Sequence, residues 1–136
     1  MVELSDAARS AIEDGHPASL TTLNPDGSPQ TTVVWVGMDG DQLVVASLDD
    51  RSKMRNVRRD SRVSLSMLTG GTTHGLDNYL VVEGTAEVIE GGADIWLQHL
   101  AHHYLGPDAV FPPPDQRRPG YRMVITPTKV RGNGPW

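Results

Sequence analysis

Between residues 18 and 48 the chain alternates short runs of strand character with turn-forming segments, and this rhythm constrains the fold more than any other feature. Runs at 18–23, 31–38 and 43–48 are separated by Asn24-Pro25-Asp26-Gly27 and Asp39-Gly40-Asp41, residue types that set tight turns through positive φ or side-chain-to-backbone bonds. Connections this short join antiparallel neighbours, because a parallel crossover needs a dozen residues or more. Further strand-like runs occupy 62–68, 79–89 and 121–130, which makes six strands. Ser5 or Asp6 can cap a helix reaching about Asp14, with Ala7, Ala8, Ala11 and Ile12 on one side. A short amphipathic helix is expected within 49–60 and another over 93–104. Six antiparallel strands with two or three helices predict a mainly β fold, a small barrel with helices at its ends, in a single domain spanning 1–136.

The net charge of −5 opposes a general nucleic-acid binder, so any anion must be held by local basic residues rather than by the overall field. The absence of cysteine excludes disulfides, thiolate metal sites and cysteine nucleophiles. Met1-Val2-Glu3-Leu4-Ser5-Asp6 lacks the basic start and apolar run of a signal peptide, and no stretch is apolar for long enough to span a bilayer. A soluble, cytoplasmic protein with no membrane or nucleic-acid partner is expected.

The segment 49–60 carries five of the twelve Lys and Arg residues: Arg51, Lys53, Arg55, Arg58 and Arg59. Met54 and Val57 supply its one apolar side. Arg51 and Lys53 fall in the expected first turn, where the helix dipole disfavours cations. An anion bound there would reverse that penalty, taking backbone N–H groups and two cationic side chains together. The alternative is a solvated basic face neutralised by Asp49, Asp50 and Asp60.

Other candidates carry less chemistry. His99, His102 and His103 have helical spacing, but lack an intervening glutamate or an evident further ligand, so they read as a surface or interface cluster and no metal site is expected. Gly70-Gly71-Thr72-Thr73-His74-Gly75 matches neither nucleotide-binding glycine pattern and reads as a flexible hairpin loop, whose mobility also suits an active-site flap. Asp26, Asp39 and Asp41 are turn residues, and Ser19, Ser47 and Ser64 lack a nucleophile elbow. Trp136, after a Gly- and Pro-rich end, is equally consistent with a frayed terminus and with an anchor on a partner subunit.

Several segments together resemble the pyridoxamine-5′-phosphate-oxidase-like split-barrel superfamily, and within it the actinobacterial branch that uses the deazaflavin F420. They are Ala18-Ser19-Leu20-Thr21-Thr22-Leu23, Asp26-Gly27-Ser28-Pro29-Gln30 and Val34-Trp35-Val36. Next come Asp50-Arg51-Ser52-Lys53-Met54-Arg55-Asn56-Val57-Arg58-Arg59-Asp60, Val82-Glu83-Gly84-Thr85-Ala86 and Arg131-Gly132-Asn133-Gly134-Pro135-Trp136. The basic segment and the Val-Glu-Gly-x-Ala segment, in this order, carry most of the specificity.

The resemblance implies a six-stranded FMN-binding-like split β-barrel that forms a homodimer, with cofactor sites at the subunit interface. It implies that Arg51 and Lys53 grip a cofactor phosphate with Asn56 nearby, and that Ser47 holds the ribityl-phosphate portion. Gln30, Thr32, Val33 and Val34 would lie along the ring system, and Arg55, Arg58 and Arg59 would attract an acidic tail. The implied activity is an F420H2-dependent reductase acting on a conjugated or quinone-like small molecule. FMN is the alternative cofactor, and a carrier that sequesters F420 without turnover is the alternative role. Oxidation of pyridoxamine phosphate is less attractive, since no second phosphate site can be placed. No catalytic proton donor stands out; His74 or Tyr79 could serve only if the glycine-rich segment folds over the site.

Overall fold

A computed structural model describes all residues from Met1 to Trp136. Helix α1 (Asp6–Glu13) begins at Ser5, whose hydroxyl accepts the Ala8 N–H at 3.1 Å, and buries Ala8, Ala11 and Ile12. Strands β1 (Ala18–Leu23), β2 (Pro29–Val34), β3 (Gly37–Asp39) and β4 (Gln42–Ser47) follow, then α2 (Ser52–Arg59). The remainder comprises β5 (Arg62–Thr73), β6 (Leu76–Glu90), α3 (Ala93–Tyr104) and β7 (Tyr121–Asn133), with a 3-10 turn at Pro114–Gln116 before β7.

The strands form one sheet in the order β2-β1-β5-β6-β7-β4-β3, and every pairing is antiparallel. The two edge strands, β2 and β3, are consecutive in sequence and separated only by Trp35 and Val36. Two residues cannot cross a flat seven-stranded sheet, whose strands lie about 4.8 Å apart. The sheet therefore curls until its edges meet, forming a barrel split along the β2/β3 seam. Its interior is filled by Ile12, Leu20, Leu43, Met54, Leu65, Leu80, Met123 and Ile125, all fully buried. In β1, Ala18, Leu20 and Thr22 point inward at the period of two. In β4 that alternation is lost, and Leu43, Val44 and Val45 are all buried, because α3 packs on the outer side of the strand.

The mainly β barrel with three helices agrees with expectation, with three adjustments. The run 31–38 is two strands rather than one, so the sheet has seven strands. The apolar stretch Val33-Val34-Trp35-Val36 hides the break at Trp35-Val36, which barrel closure imposes. The glycine-rich segment is not a loop: β5 continues through Gly70 and Gly71 to Thr73 across a pairing irregularity, and the hairpin turns on His74 and Gly75, at φ 54° and 79°. Positive φ at both central residues is the type I′ geometry that suits strand twist. Trp136 is neither frayed nor free, since its Nε1 donates to the Tyr79 carbonyl at 2.7 Å and its ring packs on the core of the same chain.

Gly84, in the Val-Glu-Gly-x-Ala segment, sits where the β6–β7 register shifts. A Cβ there would lie 2.3 Å from the Thr126 carbonyl oxygen, so the backbones approach as closely as they do only because the residue is glycine.

Candidate functional site

The split seam opens into a cleft of about 710 Å³. One wall is edge strand β2, which contributes Gln30, Thr32, Val33 and Val34, with Trp35 at its end. The floor is the end of β4, with Ala46 and Ser47. The far side is the start of α2, with Arg51, Ser52 and Lys53, and the rim is completed by Leu97, Phe111, Gln116 and Arg118. Seven of the eight residues singled out in the sequence thus meet in one cleft. Asn56 does not line it: this side chain is buried behind the wall and bonded to Gln30.

The cleft is chemically divided. At the α2 end, Arg51 is the N-cap residue rather than part of the first turn, and no side chain caps the helix. Lys53 is half-buried and forms no ion pair. Partial burial, followed by the adjacent Arg51 charge, pushes the Lys53 ammonium below the usual lysine value. A cation held this way, without a carboxylate, beside a second cation and an uncapped helix start, suits an anion. Ser47 shapes the approach: its hydroxyl donates to the Asp49 carbonyl at 2.8 Å, fixing the bend that leads into α2.

Asp49 is the acidic member of this end. Its carboxylate accepts from Arg118 at 2.5 Å and lies 3.4 Å from Arg51. The Arg118 hydrogen bond above all holds the carboxyl below its usual range. Arg118 and the rim residues Leu97, Phe111 and Gln116 were not legible as site residues. The dibasic Arg117-Arg118 after the proline run was the one available signal, and it gives no spatial address.

The other end is aromatic. Trp35 stacks on Tyr104 with ring centroids 5.2 Å apart and meets Phe111 edge-on at 5.5 Å. Tyr104 is itself fixed, its hydroxyl accepting the Val36 N–H at 3.0 Å and donating to the His16 carbonyl at 2.9 Å. Burial raises the Tyr104 phenol above its usual value. Between the two ends, Thr32 Oγ1 is buried with no hydrogen-bond partner. An orphaned buried hydroxyl in a cleft wall calls for a ligand atom or water to satisfy it. The donor set therefore fits a ligand with a phosphate at one end and a flat, polar-edged ring system at the other.

Outside the cleft, Arg55 donates to the Asp50 carbonyl and the Ser52 hydroxyl, and Arg58 pairs with Asp50 at 2.8 Å. Arg59 bonds to the Leu23 carbonyl and to Asn56. All three are satisfied by local acceptors, and none lines the cleft. His102 meets Gln98, His103 bonds to the Glu13 carbonyl, and His99 packs edge-on against His103. His74 and Tyr79 lie on the β5–β6 hairpin, outside the cleft lining.

The sequence pattern of the pyridoxamine 5′-phosphate oxidase family matches residues 4–133. The chain belongs to the pyridoxamine 5′-phosphate oxidase family. Solved structures agree with that placement. An F420 reductase superposes with a TM-score of 0.74 at 26% identity, covering 94% of this chain and 98% of its own. A conserved hypothetical protein, Rv2991 from Mycobacterium tuberculosis, gives 0.75 at 23% identity, with coverages of 97% and 86%. A putative pyridoxamine 5′-phosphate oxidase from Listeria innocua gives 0.65 at 20%, with 93% and 95% covered. The latter two, at their low identity, attest to the fold alone. No curated protein matches the chain. No helix of this family member is long and apolar enough to cross a membrane.

Proposed function

We propose that the cleft binds coenzyme F420 and that the protein is an F420H2-dependent reductase of a small conjugated or quinone-like acceptor. The coarser role, a flavin- or deazaflavin-binding oxidoreductase, is supported by family membership and by the likeness to an F420 reductase. The observation that carries the cofactor assignment is Lys53, a half-buried ammonium with no carboxylate partner, beside Arg51 at the uncapped start of α2.

In this reading Arg51 and Lys53 hold the phosphate through charge-assisted hydrogen bonds. Ser47 sets the bend that presents them. Gln30 and Thr32 face the polar edge of the ring, Val33 and Val34 support it, and Trp35 bounds its far end. When bound in reduced form, the deazaflavin supplies a hydride, which the acceptor takes up together with one proton. The chain contributes orientation, exclusion of water by the aromatic end, and electrostatic retention of the phosphate. A homodimer is part of the proposal: Leu68 and Tyr79 are cross-strand partners on the long β5–β6 hairpin, and both are exposed, at 67% and 44%. Covering such side chains favours association.

The same clamp accepts the phosphate of FMN, so the test sets the two ligands side by side. Purified protein is titrated with F420 and with FMN by fluorescence, using wild type and Arg51→Ala/Lys53→Ala. Tight F420 binding, weaker FMN binding and loss of both in the double variant are expected. The reverse preference moves the assignment to FMN, and binding of neither overturns the proposal. Reduced F420 supplied with a panel of quinones then separates a reductase from a carrier, which binds without turnover.

A further inference from the structure

The cleft wall contains a hydrogen-bond chain whose direction is fixed at both ends. Arg59 can only donate, and its guanidinium bonds to Asn56 Oδ1 at 3.1 Å. Asn56 must therefore turn its Nδ2 the other way, where it lies 3.1 Å from Thr22 Oγ1, 3.1 Å from Asn24 Oδ1 and 3.0 Å from Gln30 Oε1. The far end gives the same answer independently. The Asp26 carboxylate only accepts, and it takes the Ser28 hydroxyl hydrogen at 2.5 Å. Ser28 Oγ is thus left to accept from Asn24 Nδ2 at 3.1 Å. That turns Asn24 Oδ1 toward Asn56, which must meet it with an N–H. Both anchors assign Asn56, only 3% exposed, the same orientation.

The consequence falls on Gln30. Of the two Asn56 Nδ2 hydrogens one goes to Asn24, and the other is shared between Thr22 Oγ1 and Gln30 Oε1, the shortest of the three contacts. A Gln30 Nε2 there would set two N–H groups face to face. Nε2 is therefore the atom left for the cleft that Gln30 lines, and it has no partner within the chain. Two residues along the same strand lies the partnerless hydroxyl of Thr32. We infer that Asn56 is a positioning residue that fixes Gln30 as a hydrogen-bond donor, so that the cleft selects ligands presenting a carbonyl or a pyridine-type nitrogen, and not an N–H, at that point of the ring edge. This inference rests on the cleft being the ligand site proposed above and adds the polarity by which the ring edge is recognised. It also gives the turn Asn24-Pro25-Asp26-Gly27-Ser28 a role beyond reversing the chain.

Two measurements decide it. In ligand-free protein, side-chain amide NMR should show the Asn56 amide protons protected from exchange and close to Gln30, while the Gln30 amide protons exchange rapidly. A protected Gln30 amide facing an Asn56 oxygen overturns the relay, whether or not any ligand binds. The second is a double-mutant cycle by fluorescence titration with F420 and FMN, using Asn56→Asp, Gln30→Met and the pair. Asn56→Asp presents an acceptor to Gln30 and turns its oxygen toward the cleft. It should weaken the tighter ligand about tenfold when Gln30 is present, and have no further effect in Gln30→Met. Equal losses in both backgrounds would mean a merely structural role for Asn56 and sink the inference. If wild type binds neither ligand, the proposed function fails, while the amide exchange still decides the relay.

Discussion

The rings of Trp35 and Tyr104 lie 5.2 Å apart and only 16° from parallel, and the Tyr104 hydroxyl accepts the N–H of Val36, the residue after that tryptophan. One side chain from α3 thus supports both the ring and the backbone of the link between the sheet edges. Tyr104→Phe keeps the stack but leaves the Val36 N–H and the His16 carbonyl without this partner. Its cost should be about 1–3 kcal/mol of unfolding free energy, measured by chemical denaturation. The Trp35 emission should change little, since the stacking ring remains. An unchanged stability would mean that water replaces the hydroxyl fully.

Lys53 predicts a pH dependence of cofactor binding. Its folded value is depressed from 10.5 by burial and by Arg51, so the ammonium loses its proton at lower pH than an ordinary lysine. Phosphate binding requires the charged form, and affinity should therefore fall as pH rises through that depressed value. Lys53→Arg, which stays charged, should abolish the fall. The sign for stability is the opposite: the unfolded chain holds this proton more tightly, so folding gains as pH rises between the two values. Affinity for F420 measured across this range in both proteins checks the first part, and a flat wild-type profile contradicts it.

Asp49 competes with any anionic ligand for Arg51 and Arg118. Asp49→Asn removes that competitor while keeping the side chain's shape. Affinity for the phosphate-bearing ligand should rise about threefold, a modest gain because both ion pairs are solvent-exposed. Weaker binding in the variant would show instead that the carboxylate positions the two arginines productively.

At Gly84 the expected effect is on folding. A methyl group 2.3 Å from the Thr126 oxygen forces β6 and β7 apart at the register shift. Gly84→Ala should lose about 2 kcal/mol of stability, read from the thermal or denaturant midpoint. A midpoint equal to wild type would show that the bulge accommodates a side chain.

How much of this was legible in the sequence depended on whether the cause was local. Strands β1 and β4 were readable because Asn24-Pro25-Asp26-Gly27 and Asp39-Gly40-Asp41 bound them with local turn chemistry. The break at Trp35-Val36 was not, because neither residue is a turn former and the interruption arises only when the sheet closes. Gly70 and Gly71 read as a loop, whereas pairing with the opposite arm of the hairpin holds the segment as strand. Lys53 and Arg51 stood out because they opposed a helix dipole, a one-dimensional signal. Phe111 and Arg118 reach the cleft from a segment distant in sequence, and no spacing rule connects them to Lys53. Asn56 could be named from the resemblance, but its place behind Gln30 requires the three-dimensional network.

The two-residue link between β2 and β3 has a mechanical consequence. The Val36 N–H is bonded to Tyr104 and Trp35 is stacked on the same ring, so the seam cannot widen by sliding one sheet edge past the other. The opposite bank is tied as well: the Phe111 N–H and Arg117 donate to Gln98 Oε1, and Arg118 donates to Asp49. Both banks are thus braced on one helix, α3, whose Tyr104 holds the β2–β3 link and whose Gln98 holds the strip that faces it.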